Sequence, residues 1–195
     1  MNSVTNKNRD YVEQTKLNAL CAKYLHQKKL NKLTGPNFFI DYMVMAVTVL
    51  YFPIRYLAKG TAYSSYAETG WEFSAAILFI FSLIKTVYKW QDRINKHNKL
   101  MLLNMSLVSE ADEILNSENI NPELFRFFSS SVNNLESEDR EALGQISEKD
   151  KKWGYREAIK EFYPAQNNSI CPQCKASPWN YKKGSCQLCG NTPAI

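Results

Sequence analysis

The sequence predicts a mainly α membrane protein: a two-helix transmembrane hairpin, cytoplasmic helices and a small cysteine-rich ribbon at the C-terminal end. Three observations predict it. Two apolar runs lie close together in a basic stretch, the charges flanking them are lopsided, and four of the five cysteines fall within nineteen residues. The averages, 45% hydrophobic and 22% charged, hide this unevenness. Residues 1–104 carry 14 Lys/Arg against 6 Asp/Glu, and residues 105–195 carry 10 against 13. Such a mixture excludes a disordered tail, a collagen-like chain and a uniform soluble bundle. The polar first residues, with no apolar run before Phe38, do not read as a cleavable signal. Four segments are expected: a basic amphipathic helix in 1–37, the hairpin in 38–89, a cytoplasmic helical region in 90–164 and the ribbon in 165–195.

Residues 9–33 read as a helix because Leu17, Leu20, Cys21, Tyr24 and Leu25 repeat at helical spacing. Gly35-Pro36 ends it. Its polar side holds Lys16, Lys23, Lys28, Lys29 and Lys32, with no acid between 16 and 32. That side is either solvated, or near anionic lipid headgroups, which the next segment favours.

Residues 38–57 and 70–88 carry the apolar runs. Their charge-free cores are only 13 residues (Tyr42–Ile54) and 12 residues (Phe73–Ile84), as in many core helices. The full segments nevertheless match a bilayer at ~1.5 Å rise per residue. Aromatic residues mark their ends: Phe38, Phe39, Tyr88 and Trp90 on one side, Tyr56, Tyr63 and Trp71 on the other. Lysines crowd the outer flanks, while the connection has only Lys59 and Glu68. The expectation is a multi-pass membrane protein with two spans and both termini cytoplasmic. Four charges lie within the spans. Asp41 and Lys85 match in depth, as do Arg55 and Glu72. Helical phase favours Arg55–Glu72 as the pair that staples the hairpin. Lys85, on a stripe with Ser74 and Ser82, is then free to line a pore or meet another subunit, or to snorkel toward headgroups.

No Gly or Pro occurs from Trp71 to Asn121, so the second span is expected to run unbroken into the cytoplasm. Trp90, Ile94, His97, Met101, Asn104, Val108, Ala111 and Leu115 form a heptad seam. His97 and Asn104 would set register in an oligomer, or hydrogen-bond within a bundle. Three shorter helices follow. Asn121-Pro122 opens Glu123–Asn133, Gly144 closes Ser137–Leu143, and Ser147-x-x-Asp150 opens one that ends at Pro164. Residues 105–150 hold 11 acids against 3 bases, either to meet the basic helix or to keep this region soluble.

Cys171, Cys174, Cys186 and Cys189 stand in the spacing C-x2-C-x11-C-x2-C. Two pairs of thiolates suit a tetrahedral Zn²⁺, and a fully thiolate set leaves no open position, so the zinc is structural. Redox and iron–sulfur readings are weaker alternatives. The intervening residues suit a hairpin turning at Lys182-Lys183-Gly184. Trp179 and Tyr181 with Lys175, Lys182 and Lys183 are read as the hairpin's core and solvated face, and nucleic acid is not an expected partner. No Walker loop, Rossmann fingerprint, nucleophile elbow or HExxH motif occurs, and two histidines offer little acid–base machinery, so the chain is not read as an enzyme.

The tail CPQCKASPWNYKKGSCQLCG resembles the bacterial mobile-element proteins named for this cysteine spacing. The preceding basic helix, paired spans and long cytoplasmic helix resemble the SLATT class. That resemblance implies a homo-oligomeric, pore-forming effector of the bacterial inner membrane that serves antiphage defence by abortive infection. It also implies a nucleotide-signalling or sensing protein encoded nearby. The rival reading is a membrane-anchored zinc-ribbon module that recruits nucleic acid or a protein.

Overall fold

The computed structural model describes residues 2–117, 121–162 and 169–194. Five helices lie among them: α1 (Asn2–Ala58), α2 (Ser64–Tyr88), α3 (Trp90–Asn116), α4 (Pro122–Leu143) and α5 (Glu148–Phe162). They form two compact units. Residues 1–29 and 96–195 make a head, and Leu30–Asn95 make a hairpin.

Several elements differ from expectation. The stop at Gly35-Pro36 is overridden, because α1 continues through Pro36 and Pro53. Each proline removes one backbone donor, at roughly 3 kcal/mol. Continuing the helix keeps the other backbone groups of α1 paired, which a break would not. Conversely, the run after Trp71 breaks at Lys89, which adopts left-handed φ 47 and ψ 47 and donates its N–H to Thr86. A lysine there costs roughly 1–2 kcal/mol, and no Gly or Pro marks the break. The two helices expected between 123 and 143 are one, α4. The caps are as read: Asn121 Oδ1 accepts from Glu123 N at 2.9 Å, and Ser147 Oγ accepts from Asp150 N at 3.1 Å. The expected end at Pro164 lies outside the described residues.

The head closes around residues 7–29 of α1. One apolar cluster joins Val12 and Ala19 to Leu100, Leu107 and Ile114 of α3 and Phe128 and Val132 of α4. A second joins Leu17, Leu20 and Leu25 to Ala158 and Ile159 of α5 and to the cysteines of the tail. The seam of α3 is thus internal to the chain. His97, Asn104 and Ala111 are buried as expected and Val108 and Leu115 are partly buried against the same core, while Leu100, Leu107 and Ile114 are the fully buried apolar positions of the stripe. The lysines of α1 meet acids: Lys16–Asp112 at 2.6 Å, Lys28–Asp150 at 2.5 Å and Lys23–Glu161 Oε1 at 2.7 Å. This corrects the lipid-headgroup reading for those three residues.

In the hairpin, Tyr51 stacks on Trp71 with centroids 3.8 Å apart. Lys85 donates to Asp41. Arg55 donates instead to Tyr51 Oη at 2.6 Å, and among the described residues it makes no ion pair with Glu72, which is exposed. The Arg55–Glu72 staple is therefore replaced by Asp41–Lys85. Depth matching allowed both pairs. The face of α2 decides, since Trp71, Ser74, Leu78 and Lys85 are among its half-buried positions, whereas Glu72 is exposed. Lys85 is thus turned to Asp41 of α1, not left unpaired for a pore. Ser74 Oγ bonds Gly70 O at 2.8 Å, and Ser82 lies exposed, its carbonyl accepting from Thr86. Both helices are long and apolar enough to cross a membrane.

Candidate metal centre

Two turns of the tail present the cysteines. Each repeats one plan. Lys175 N donates to Cys171 O at 2.9 Å and Gly190 N to Cys186 O at 3.0 Å. Lys175 and Gly190, each just after its second cysteine, take positive φ of 57 and 73. The left-handed turn suits glycine and costs the lysine some strain. The four Sγ atoms lie within 4.8 Å of one another. Cys174–Cys189 is 3.6 Å and Cys171–Cys186 is 4.0 Å. Tetrahedral ligands about 2.3 Å from a metal stand about 3.8 Å apart, so the set fits one ion with no position left open.

Backbone donors face the sulfurs. Burial pushes the Cys186 thiol up, but the amides of Cys189 and Leu188 pull it down further, to about 7. Burial holds Cys171 above its ordinary value despite amides from Cys174 and Gln173, and burial also raises Cys189. A cation would be needed to keep four such thiols ionised together.

The expected ribbon is reduced to two knuckles. No strand occurs among the described residues, and the only bridge there pairs Lys183 with Asn191. Asn191 is a fastener that sequence reasoning missed. Buried, it accepts from Lys182 N at 2.8 Å and Thr192 N at 2.9 Å and donates to Ser177 O at 3.0 Å. Gly184 permits this crossing, since a Cβ there would stand 2.3 Å from Thr192 N. Trp179 and Tyr181 are not a core. They remain 57% and 45% exposed, with Lys160 and Arg156 of α5 over their rings at 5.1 and 3.8 Å. The knuckles therefore dock on α5 rather than hang from it.

Sequence reasoning also missed a buried polar chain in the head. His26 Nδ1 faces His97 Nδ1 at 2.9 Å, and His26 Nε2 lies 2.8 Å from Asp139 Oδ1. Asn104 Nδ2 donates to both Asp139 oxygens, at 3.2 and 3.0 Å. A signal existed: Asp139 interrupts the buried stripe Phe128, Val132, Leu135 and Leu143 of α4. Cys21, the remaining cysteine, is no reactive thiol. Burial lifts it to about 12 despite the charge of Lys151.

The family model of the Mobilome CxxCx(11)CxxC protein matches residues 9–192. No curated protein and no solved structure shows significant similarity to the chain.

Proposed function

This chain belongs to the Mobilome CxxCx(11)CxxC protein family, and from that premise we propose that it is a non-enzymatic effector of the bacterial inner membrane. Its hairpin spans the bilayer twice, and the head faces the cytoplasm. Several copies assemble and permeabilise the membrane during antiphage defence, in response to a nucleotide-signalling partner. One Zn²⁺ held by Cys171, Cys174, Cys186 and Cys189 is structural.

The observation that carries the membrane reading is the outward apolar surface of the hairpin. Phe38, Phe52, Phe73 and Val87 are 69%, 70%, 71% and 76% exposed, and α2 buries no residue. Monomeric soluble proteins rarely leave so large an apolar surface in water, whereas lipid covers it without cost. The lysines flanking the runs support cytoplasmic ends. Two helices cannot enclose a channel, so permeation requires several copies. With Lys85 engaged by Asp41, exposed Glu72 and Ser82 are among the polar groups of α2 available to line one.

Reconstitution into liposomes loaded with a self-quenched dye tests this. Dye release that rises steeply with protein-to-lipid ratio is expected. Insertion without release would leave a membrane-anchored binding module. That second reading is favoured by an open cavity in the head.

A further inference from the structure

The head holds a cavity of about 370 Å³ between α1, α3, α4 and α5. That is within the usual range for small-molecule sites. Leu25, Leu107, Val132, Leu135 and Leu143 give it apolar walls. Its ionisable lining is balanced, with Glu136 and Asp139 against Arg140 and Lys151. Glu136, Arg140 and Lys151 are exposed, whereas Asp139 is buried.

Asp139 is held by three hydrogen bonds: one from His26 Nε2 and two from Asn104 Nδ2. A carboxylate can accept about four, so capacity for another donor remains. His26 fixes the orientation of this carboxylate, and His97 fixes that of His26. On another wall, Tyr155 Oη donates to Asn18 Oδ1 at 2.9 Å. That oxygen also accepts from Gln14 at 3.3 Å, so the amide NH₂ of Asn18 is the group with donors to offer.

A polyanion would meet two carboxylates here, and a polycation would meet an arginine and a lysine. A ligand carrying one charge of each sign gains from both sets. We infer that this cavity binds a small zwitterion with an apolar body, of the class of α-amino acids with branched or aromatic side chains. The ammonium group is received by Asp139, the carboxylate by Arg140 or Lys151, and the side chain by the leucine-rich wall. The inference rests on the head alone and stands whether or not the hairpin forms a pore.

Titration calorimetry on the full chain in lipid nanodiscs tests it. The probes are L-leucine, L-phenylalanine, and two phenylalanine analogues with one charge each, phenethylamine and 3-phenylpropionate. Saturable binding of at least one amino acid is expected. Where it is phenylalanine, each single-charge analogue should bind about tenfold more weakly or worse. Asp139→Asn, and at least one of Arg140→Gln and Lys151→Gln, should weaken amino-acid binding by about tenfold, with helix content unchanged. Should Asp139→Asn disturb the fold, Arg140→Gln and Lys151→Gln at the exposed rim decide together. Absence of saturable heat with both amino acids at millimolar concentration overturns the inference. So does equal binding of phenylalanine and either analogue, or unchanged affinity in Arg140→Gln and Lys151→Gln alike.

Discussion

Asp41 and Lys85, 44 residues apart, form an ion pair that joins α1 to α2. In lipid, removing either partner strands the other. Lys85→Leu should therefore reduce hairpin insertion by about 2–3 kcal/mol, and Asp41→Asn with Lys85→Leu should restore most of it. Insertion efficiency in a membrane translation assay measures this. A double variant no better than Lys85→Leu alone would show that the pair contributes nothing.

Metal content is the second test. Protein purified under reducing conditions should carry one Zn²⁺ per chain by elemental analysis. Cys186→Ser should abolish it, and so should Gly184→Ala, whose new Cβ would collide with the Thr192 backbone. The cysteines share an apolar cluster with Leu17, Leu20 and Ile159, so metal loss should also lower the melting temperature of the head. Chelation that leaves the head's melting unchanged would contradict this coupling.

Helix packing gives a third. A Cβ on Gly154 would stand 2.9 Å from Cys21 Sγ and 3.2 Å from Leu25 Cγ. Gly154→Ala is expected to destabilise the head by about 1–3 kcal/mol, and adding Cys21→Ala should recover a large part. Chemical denaturation followed by circular dichroism reads both. Additive losses would remove the close contact as the cause.

The fourth concerns acid. Burial works to raise the Glu161 carboxyl, but hydrogen bonds from Lys23 and Tyr24 outweigh it, and the group titrates below its ordinary 4.5. Its stabilisation is full above that value and is lost as pH falls through the lower, folded-state value. Glu161 is partly exposed, so the contribution is roughly 0.5 kcal/mol after screening. Melting temperatures of wild type and Glu161→Gln should differ at pH 7 and converge as pH falls through the folded-state value. A constant difference across that range would point elsewhere.

Local chemistry was legible where the signal is local. The cysteine spacing, the Asn121 and Ser147 caps and the two apolar runs each announce themselves within a few residues. The helix through Pro36 and the break at Lys89 were not legible, because each depends on whether neighbouring turns tolerate a lost hydrogen bond or a strained lysine. Pairings between distant segments were harder. Depth matching named Asp41–Lys85 as one option, but phase on an ideal helix could not choose it. His26 was invisible as a partner of Asp139 until α1 and α4 came together. The basic and acidic halves were visible as compositions, and only the fold turned them into Lys16–Asp112 and Lys28–Asp150.

α1 also sets a timetable for biogenesis. It leaves the ribosome before its partners in the head, which arrive late: His97 follows His26 by 71 residues, and Phe162 follows Lys16 by 146. Throughout that interval Leu17, Leu20 and Leu25 have no cover from α5 or the knuckles, and the head cannot close until Cys189 has emerged. The hairpin, made of neighbours in the chain, can form well before then. A message truncated between α3 and Cys171 would therefore release a product with an intact hairpin and a sticky amphipathic α1, a natural target for chaperones and proteases.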